Sequence, residues 1–171
     1  LYSGMFGLKE YPASTRPGML NGLLSVSFEF VLSQSFAFLS KADAKTVLTR
    51  KQNQLVSTQD VAASQIDDLN DALDDLESNR FVMGDHHLSL LVRAENPKAL
   101  LETMAQARRV LAEAGAVVAR EDLGLEAAYW AQMPGLFKHR ARSGAITSRN
   151  LAALSPFHSH PVGRSVGNHW G

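Results

Sequence analysis

Residues able to do chemistry fall in three places along this chain. Asp60, Asp67, Asp68, Asp71, Asp74, Asp75 and Glu77 form an acidic run with no Lys or Arg between them. Such a run can dock a basic partner or hold a divalent ion, although it is more often a solvated helix face. Lys138, Arg140, Arg142 and Arg149 form a basic cluster next to Phe137, and no acid occurs from Ala127 onward. Cations beside an aromatic suit the phosphates and bases of single-stranded DNA. The plainer reading is a basic connector that neutralises an acidic neighbour. Histidines make the third group. His158, His160 and His169 offer imidazoles in a connector-like stretch, too few and too spread for a zinc set. Asp85, His86 and His87 have the types for acid–base work but no nucleophile to activate, and His86 sits on the apolar parity of its segment. That position reads as a hydrogen-bonded histidine of the core or edge.

Motifs that would make the chain an enzyme are missing. G-x-x-x-x-G-K-[ST], G-x-G-x-x-G, G-x-S-x-G and H-E-x-x-H do not occur. A phosphate-cradling loop needs its glycines for backbone amides to reach the ligand, so no catalytic, cofactor-binding or metal residue is assigned. The 171 residues are 45% apolar, which suits a domain with a real core and argues against disorder. Without cysteine there is neither a disulfide scaffold nor a thiolate zinc site. Seventeen basic residues balance seventeen acidic ones, so the total charge points to no polyanion partner. No apolar run approaches the ~18 residues of a membrane span, and no signal-peptide pattern opens the chain. A start at Leu1 and an end at Trp170-Gly171 read as those of a piece of a longer protein.

The elements that must position these groups follow from periodicity. Gly4 to Tyr11 reads as a strand. Pro17 opens an expected helix with Met19, Leu20, Leu23 and Leu24 inward. Val26, Phe28, Phe30, Leu32, Phe36 and Phe38 share one parity and Ser25, Ser27, Glu29, Ser33 and Ser35 the other, which is a strand with one packed face. Ser40 to Asn79 reads helical throughout, as a projecting arm or a hairpin broken near Ser57-Thr58-Gln59-Asp60. Its second half carries a seam of Ile66, Leu69, Leu73 and Leu76. Lys41, Lys45, Arg50 and Lys51 lie at its N-terminal end and the acids at its C-terminal end, the wrong way round for the helix dipole. A fold-back that sets the basic half beside the acidic half would compensate; so would an antiparallel neighbour from another subunit.

Phe81 to Val92 returns to strand, with Val82, Leu88, Leu90 and Val92 on one face. Asn96-Pro97 caps a helix with Leu100, Met104, Ala107, Leu111 and Ala114 inward, closed by Gly115. Ala116 to Ala119 is a short strand, and Asp122 caps a last helix with Leu125, Ala128, Tyr129 and Met133 inward, stopped by Pro134-Gly135. A short helix is expected over Ser148 to Leu154 within a loose, basic stretch. The order predicts an α+β fold: a split-βαβ, ferredoxin-like sheet with a long helical arm or hairpin inserted between its halves. Residues 1–135 form the domain, with the arm at 40–79, and 136–171 a basic connector.

Several short stretches are also familiar as words. Gly7-Leu8-Lys9-Glu10-Tyr11-Pro12, Pro17-Gly18-Met19-Leu20 and Ser33-Gln34-Ser35-Phe36 are among them. So are Ser64-Gln65-Ile66, Arg80-Phe81-Val82-Met83-Gly84, Val118-Ala119-Arg120-Glu121-Asp122 and Trp130-Ala131-Gln132-Met133-Pro134-Gly135. Ile146-Thr147-Ser148-Arg149-Asn150, Leu154-Ser155-Pro156-Phe157-His158 and Gly167-Asn168-His169-Trp170-Gly171 complete the set. Together they resemble the N-terminal region of the type IV secretion and conjugal-transfer ATPases, the family named for CagE, TrbE and VirB. The resemblance implies an oligomeric, usually hexameric, ATPase on the cytoplasmic face of the bacterial inner membrane, working with other secretion components. It also implies that the Walker motifs, with ATP and Mg, belong to a C-terminal motor domain beyond this region, so that no cofactor is expected here. The expected role is docking to inner-membrane components and neighbouring subunits, through the arm with Asp67, Asp68, Asp71 and Asp74 and through the aromatic strand. Contact with a single-stranded DNA substrate through Lys138, Arg140, Arg142 and Arg149 is the alternative.

Overall fold

The computed structural model of the chain describes residues 1–57 and 63–155. Thr58 to Asp60, where a break in the arm is expected, and His158, His160 and His169 lie outside the described residues. Five strands, β1 (Tyr2–Glu10), β2 (Phe30–Phe38), β3 (Met83–Ala94), β4 (Val117–Arg120) and β5 (Gly144–Thr147), form one antiparallel sheet. The helices are α1 (Lys41–Ser57), α2 (Ala63–Glu77), α3 (Pro97–Glu113), α4 (Leu125–Trp130) and α5 (Ser148–Leu154).

Strand order β2-β3-β1-β4 is that of the split-βαβ scheme. β3 is its spine. One flank pairs with β2 from Phe30↔Val92 to Phe38↔Gly84; the other pairs with β1 at its far end and β5 at its near end. With both flanks bonded and both faces covered, β3 is buried along most of its length, as its apolar run from Leu88 to Val92 requires.

Alternation sorts the side chains. Leu88, Leu90 and Val92 join Phe6, Leu8 and Val118 on the face packed by Met104, Ala107 and Leu111 of α3. Phe28, Phe30, Leu32 and Phe36 pack against the same core, whereas Phe38 is 76% exposed. Asn96 caps α3 by accepting from the Ala99 N–H, and Gly115 (φ +79) closes it in a Schellman turn, with Ala116 N–H donating to Leu111 O.

Three expectations change. The first crossover is a 3₁₀ turn at Asn21–Ser25, not an α-helix. Gly18, at φ +77, consumes the chain in a turn. Leu20 and Leu23, three apart, suit the tighter period and are buried, while Leu24 is exposed. In α4 only Ala128 is buried, against Met5 and Leu91, whereas Leu125, Tyr129 and Met133 are each more than a third exposed. Six residues give that helix few positions that reach the sheet, and its N-cap is Gly124 because Asp122 pairs instead with Arg120 at 2.7 Å. Finally, the stretch after 135, read as a connector with a short helix over Ser148 to Leu154, holds that helix as α5 but also a strand, β5, and their Ile146 and Leu154 belong to the main core. The folded unit thus runs past 135 to at least Leu154. Thr147 caps α5 by accepting from the Asn150 N–H at 3.1 Å.

Gly84 has a close-approach reason to be glycine. A Cβ there would stand 2.4 Å from Cε1 and Cζ of the Phe36 ring. Gly84→Ala is expected to cost about 1–2 kcal/mol by overpacking, read from urea unfolding midpoints, and Phe36→Leu in the same background should restore part of it.

Candidate functional site

The arm is a hairpin. Ser40 opens α1 by accepting from the Asp43 N–H at 3.1 Å. Asn79 closes α2 in the left-handed region (φ 55), with Arg80 N–H donating to Asp75 O and Asn79 N–H to Leu76 O, a Schellman turn built without glycine. Between the helices lies a second core of Ala44, Leu48, Leu76, Phe81 and Met83, flanked by Leu69 and Leu73 of the expected seam.

Among the described residues, the fold-back brings unlike charges of the two helices together at the root. Lys45 Nζ donates to Glu77 Oε1 at 2.9 Å, and Lys41 Nζ reaches the other carboxylate oxygen at 3.3 Å. Hydrogen bonds from Lys45 and then Lys41 hold the Glu77 carboxyl below the usual carboxylate range. Farther out, Gln52 donates to Asn70 at 2.9 Å. The apolar stripe of α2 faces α1, so the other face points to solvent. There Asp67, Asp68, Asp71 and Asp74 are all exposed, and none makes an ion pair among the described residues.

Asp75 is different. It takes Arg80 at 2.8 Å and Arg149 of α5 at 2.9 Å, one on each oxygen, and Arg149 also lies 5.6 Å over the Phe81 ring. The Arg80 hydrogen bond, and after it that of Arg149, keeps its carboxyl below the ordinary range.

The basic cluster is similarly tied inward. Arg140 sits 3.4 Å from Asp85, is stacked 5.1 Å over Phe137, and donates to the Phe137 carbonyl. Arg142 Nε donates to Glu121 Oε1 at 2.7 Å, and that carboxylate is 6% exposed. Lys138 is exposed and makes no ion pair among the described residues. Three of the four cations therefore neutralise acids of the same chain, the connector-like role in a folded setting.

The triplet Asp85-His86-His87 is split by strand alternation. His86, fully buried, meets the Tyr11 hydroxyl at Nδ1 (2.9 Å) and Gln34 Oε1 at Nε2 (3.0 Å), as a satisfied core histidine. Burial, reinforced by His87, lowers its pKa to about 4. His87 faces the opposite side and donates from Nδ1 to the Arg142 carbonyl. Its Nε2 and Ser35 Oγ are buried without a hydrogen bond among the described residues, beside a cavity of about 270 Å³ under Gln132, Pro134 and Phe137. No group of three or more His, Asp or Glu among the described residues is placed to hold a metal, and no helix there is long and apolar enough to cross a membrane.

With this geometry, comparison with known proteins places the chain. A family model described as "CagE, TrbE, VirB family, component of type IV transporter system" matches residues 1–142. The type IV secretion system protein virB4 of Bartonella quintana (strain Toulouse) is 65% identical over 170 residues, 99% of this chain and 22% of that protein. Protein virB4 of Rhizobium radiobacter is 53% identical over 167 residues, 98% of this chain and 21% of the relative. The virB4 protein of Brucella suis biovar 1 (strain 1330) is 39% identical over 170 residues, 99% and 20% respectively. The chain spans about a fifth of the length of these relatives.

Proposed function

Since the chain belongs to the CagE, TrbE, VirB family of type IV transporter components, we propose that it is the N-terminal docking module of a secretion ATPase. It engages other secretion components and neighbouring subunits, while ATP and Mg are handled by a motor domain elsewhere in the parent. The working position is peripheral, on the cytoplasmic face of the inner membrane, in a self-assembled ring such as a hexamer.

One observation carries this reading. The four carboxylates Asp67, Asp68, Asp71 and Asp74 form an exposed stripe that no cation of the described residues neutralises, on a hairpin that projects between two strands. By contrast, Asp75, Glu77, Asp85 and Glu121, which tie one element to another, each have a cation. Uncompensated like charges repel, so a surface that keeps them is suited to a basic partner that removes the repulsion on binding. The DNA reading has weaker support, because Arg140, Arg142 and Arg149 would have to leave Asp85, Glu121 and Asp75 to reach phosphates.

The test is capture of co-expressed secretion components by the tagged chain. Converting Asp67, Asp68, Asp71 and Asp74 together to Lys is expected to lower retention roughly tenfold, with the largest difference at low salt. Equal retention by the unchanged and charge-reversed chains would overturn the proposal. Single-stranded DNA binding that weakens steeply with salt, and is lost in Lys138→Ala, would favour the alternative.

A further inference from the structure

The two edges of the sheet are managed differently. β4 is four residues long, and its pairing with β1 breaks register between Leu8 and Glu10, which blunts that edge. β2 is nine residues long and runs Phe-Val-Leu-Ser-Gln-Ser-Phe-Ala-Phe, with no charge and no proline. None of its residues is fully buried, and among the described residues its outer edge makes no backbone hydrogen bond. The ladder sets which groups point outward. Glu29 O accepts from Arg93 N–H and Leu39 N–H donates to Met83 O, so the odd residues bond to β3. Phe30, Leu32, Gln34, Phe36 and Phe38 therefore direct their N–H and C=O groups to the open side. A long, uncharged edge with apolar ends is a template for another strand.

The sequence of β2 says which strand fits. Read backwards about Gln34, it nearly repeats itself. Phe30 falls opposite Phe38, Val31 opposite Ala37, Leu32 opposite Phe36, Ser33 opposite Ser35, and Gln34 opposite itself. We propose that two copies of this chain join edge to edge through β2, antiparallel about a two-fold axis at Gln34. This deepens the docking reading above, on which it rests, by naming the surface and register of one self-contact, a two-fold one that joins subunits in pairs and is distinct from the head-to-tail contacts that close a ring. Antiparallel pairing about a two-fold requires a self-complementary strand, because each residue meets its mirror position in the partner. The near-palindrome sets Phe30 against Phe38, Val31 against Ala37, Leu32 against Phe36, Ser33 against Ser35 and the Gln34 amide against itself, so no pair is mismatched in polarity. Parity agrees as well: outward-bonding residues meet outward-bonding residues, and packed-face side chains meet packed-face side chains. The two sheets then merge with α3 of each copy on the same face.

Because the chain has no cysteine, a cross-link can report the register. Val31 and Ala37 belong to the odd set, so across the two-fold they form a close, non-hydrogen-bonded pair about 4.5 Å apart at Cα, suited to a disulfide. The double variant Val31→Cys/Ala37→Cys of the 171-residue chain should form a covalent dimer on mild oxidation. Val31→Cys/Ser35→Cys, two residues out of register, should not. In solution, light scattering should show about tenfold weaker self-association for Val31→Lys/Ala37→Lys, which sets like charges opposite each other, and retained dimer for Val31→Lys/Ala37→Glu. Circular dichroism melts guard against misfolding. A monomer for the unchanged chain, cross-linking only by the shifted pair, or equal loss in both charge variants would overturn the inference. Because these variants leave Asp67 to Asp74 intact, capture of secretion components would be unaffected by that failure, and the two proposals fall separately.

Discussion

Arg142→Ala is expected to destabilise the chain by roughly 2–3 kcal/mol, without any nucleic acid in the experiment. The guanidinium is 39% exposed, but the carboxylate it satisfies is only 6% exposed and lies against the sheet at Gly7. Removing the arginine leaves Glu121 charged in a place with little water, which costs more than the pair contributed when intact. Loss from the fully buried case would be larger, about 3–5 kcal/mol; solvent access to Arg142 lowers it. Denaturant midpoints measure the change. The companion Glu121→Gln/Arg142→Ala should be milder than Arg142→Ala alone, since the uncompensated charge is gone. An Arg142 that served only an external phosphate would leave the midpoint where it was.

Acid should loosen the fold through His86. Its imidazole is enclosed by Tyr11, Gln34 and the backbone, with His87 opposing protonation and Asp85 favouring it. The folded pKa is near 4, against the ordinary 6.5 of the unfolded chain. Between those values the unfolded state binds a proton that the native state refuses. Stability is therefore full above about pH 6.5 and falls as pH drops towards 4, by about 3 kcal/mol in all. His86→Gln should flatten that part of the stability profile while lowering the plateau, because Tyr11 then lacks its partner ring. A slope unchanged by the substitution would place the acid sensitivity elsewhere. At the other end, burial and then Asp85 raise Tyr11 to about 12, so its hydroxyl stays protonated in the fold past pH 10, where the unfolded chain begins to ionise and stability starts to fall.

How much of this was legible in the sequence depended on how many residues voted. β2, β3 and α3 announced themselves through long runs of consistent periodicity, and the split-βαβ order followed from their sequence. The arm was half legible: the reversed charge of Lys41 to Lys51 against Asp67 to Glu77 demanded a neighbour, but did not say whether a fold-back or another subunit supplies it. Among the described residues the structure places that compensation at Glu77, since the apolar seam fixes the rotation of α2 and leaves Asp67, Asp68, Asp71 and Asp74 outside. β5 was not legible. Four residues carry too little pattern, and what secures them is tertiary: the open flank of β3 below the end of β1, and a glycine at 144 where a Cβ would stand 2.6 Å from the Tyr11 ring. The ion pairs of Arg140, Arg142 and Arg149 were hidden for the same reason, as their partners lie 55, 21 and 74 positions away. The near-palindrome of β2 was present in the letters all along, but it gains meaning only once the strand is known to lie at an edge.

The shared carboxylate of Asp75 has a mechanical consequence. A hairpin joined to a sheet by two short strand connections would swing on them as a hinge. Here α2 is gripped at its base by Arg149 from α5 and by Arg80, while Leu39 N–H donates to Met83 O at the start of β3. The hairpin is thus a clamped cantilever. A load applied near Asp67 would then act on the root as a torque, resisted by β3 through the Leu39–Met83 bond and by α5 through the arginine, rather than turning the hairpin on a free hinge.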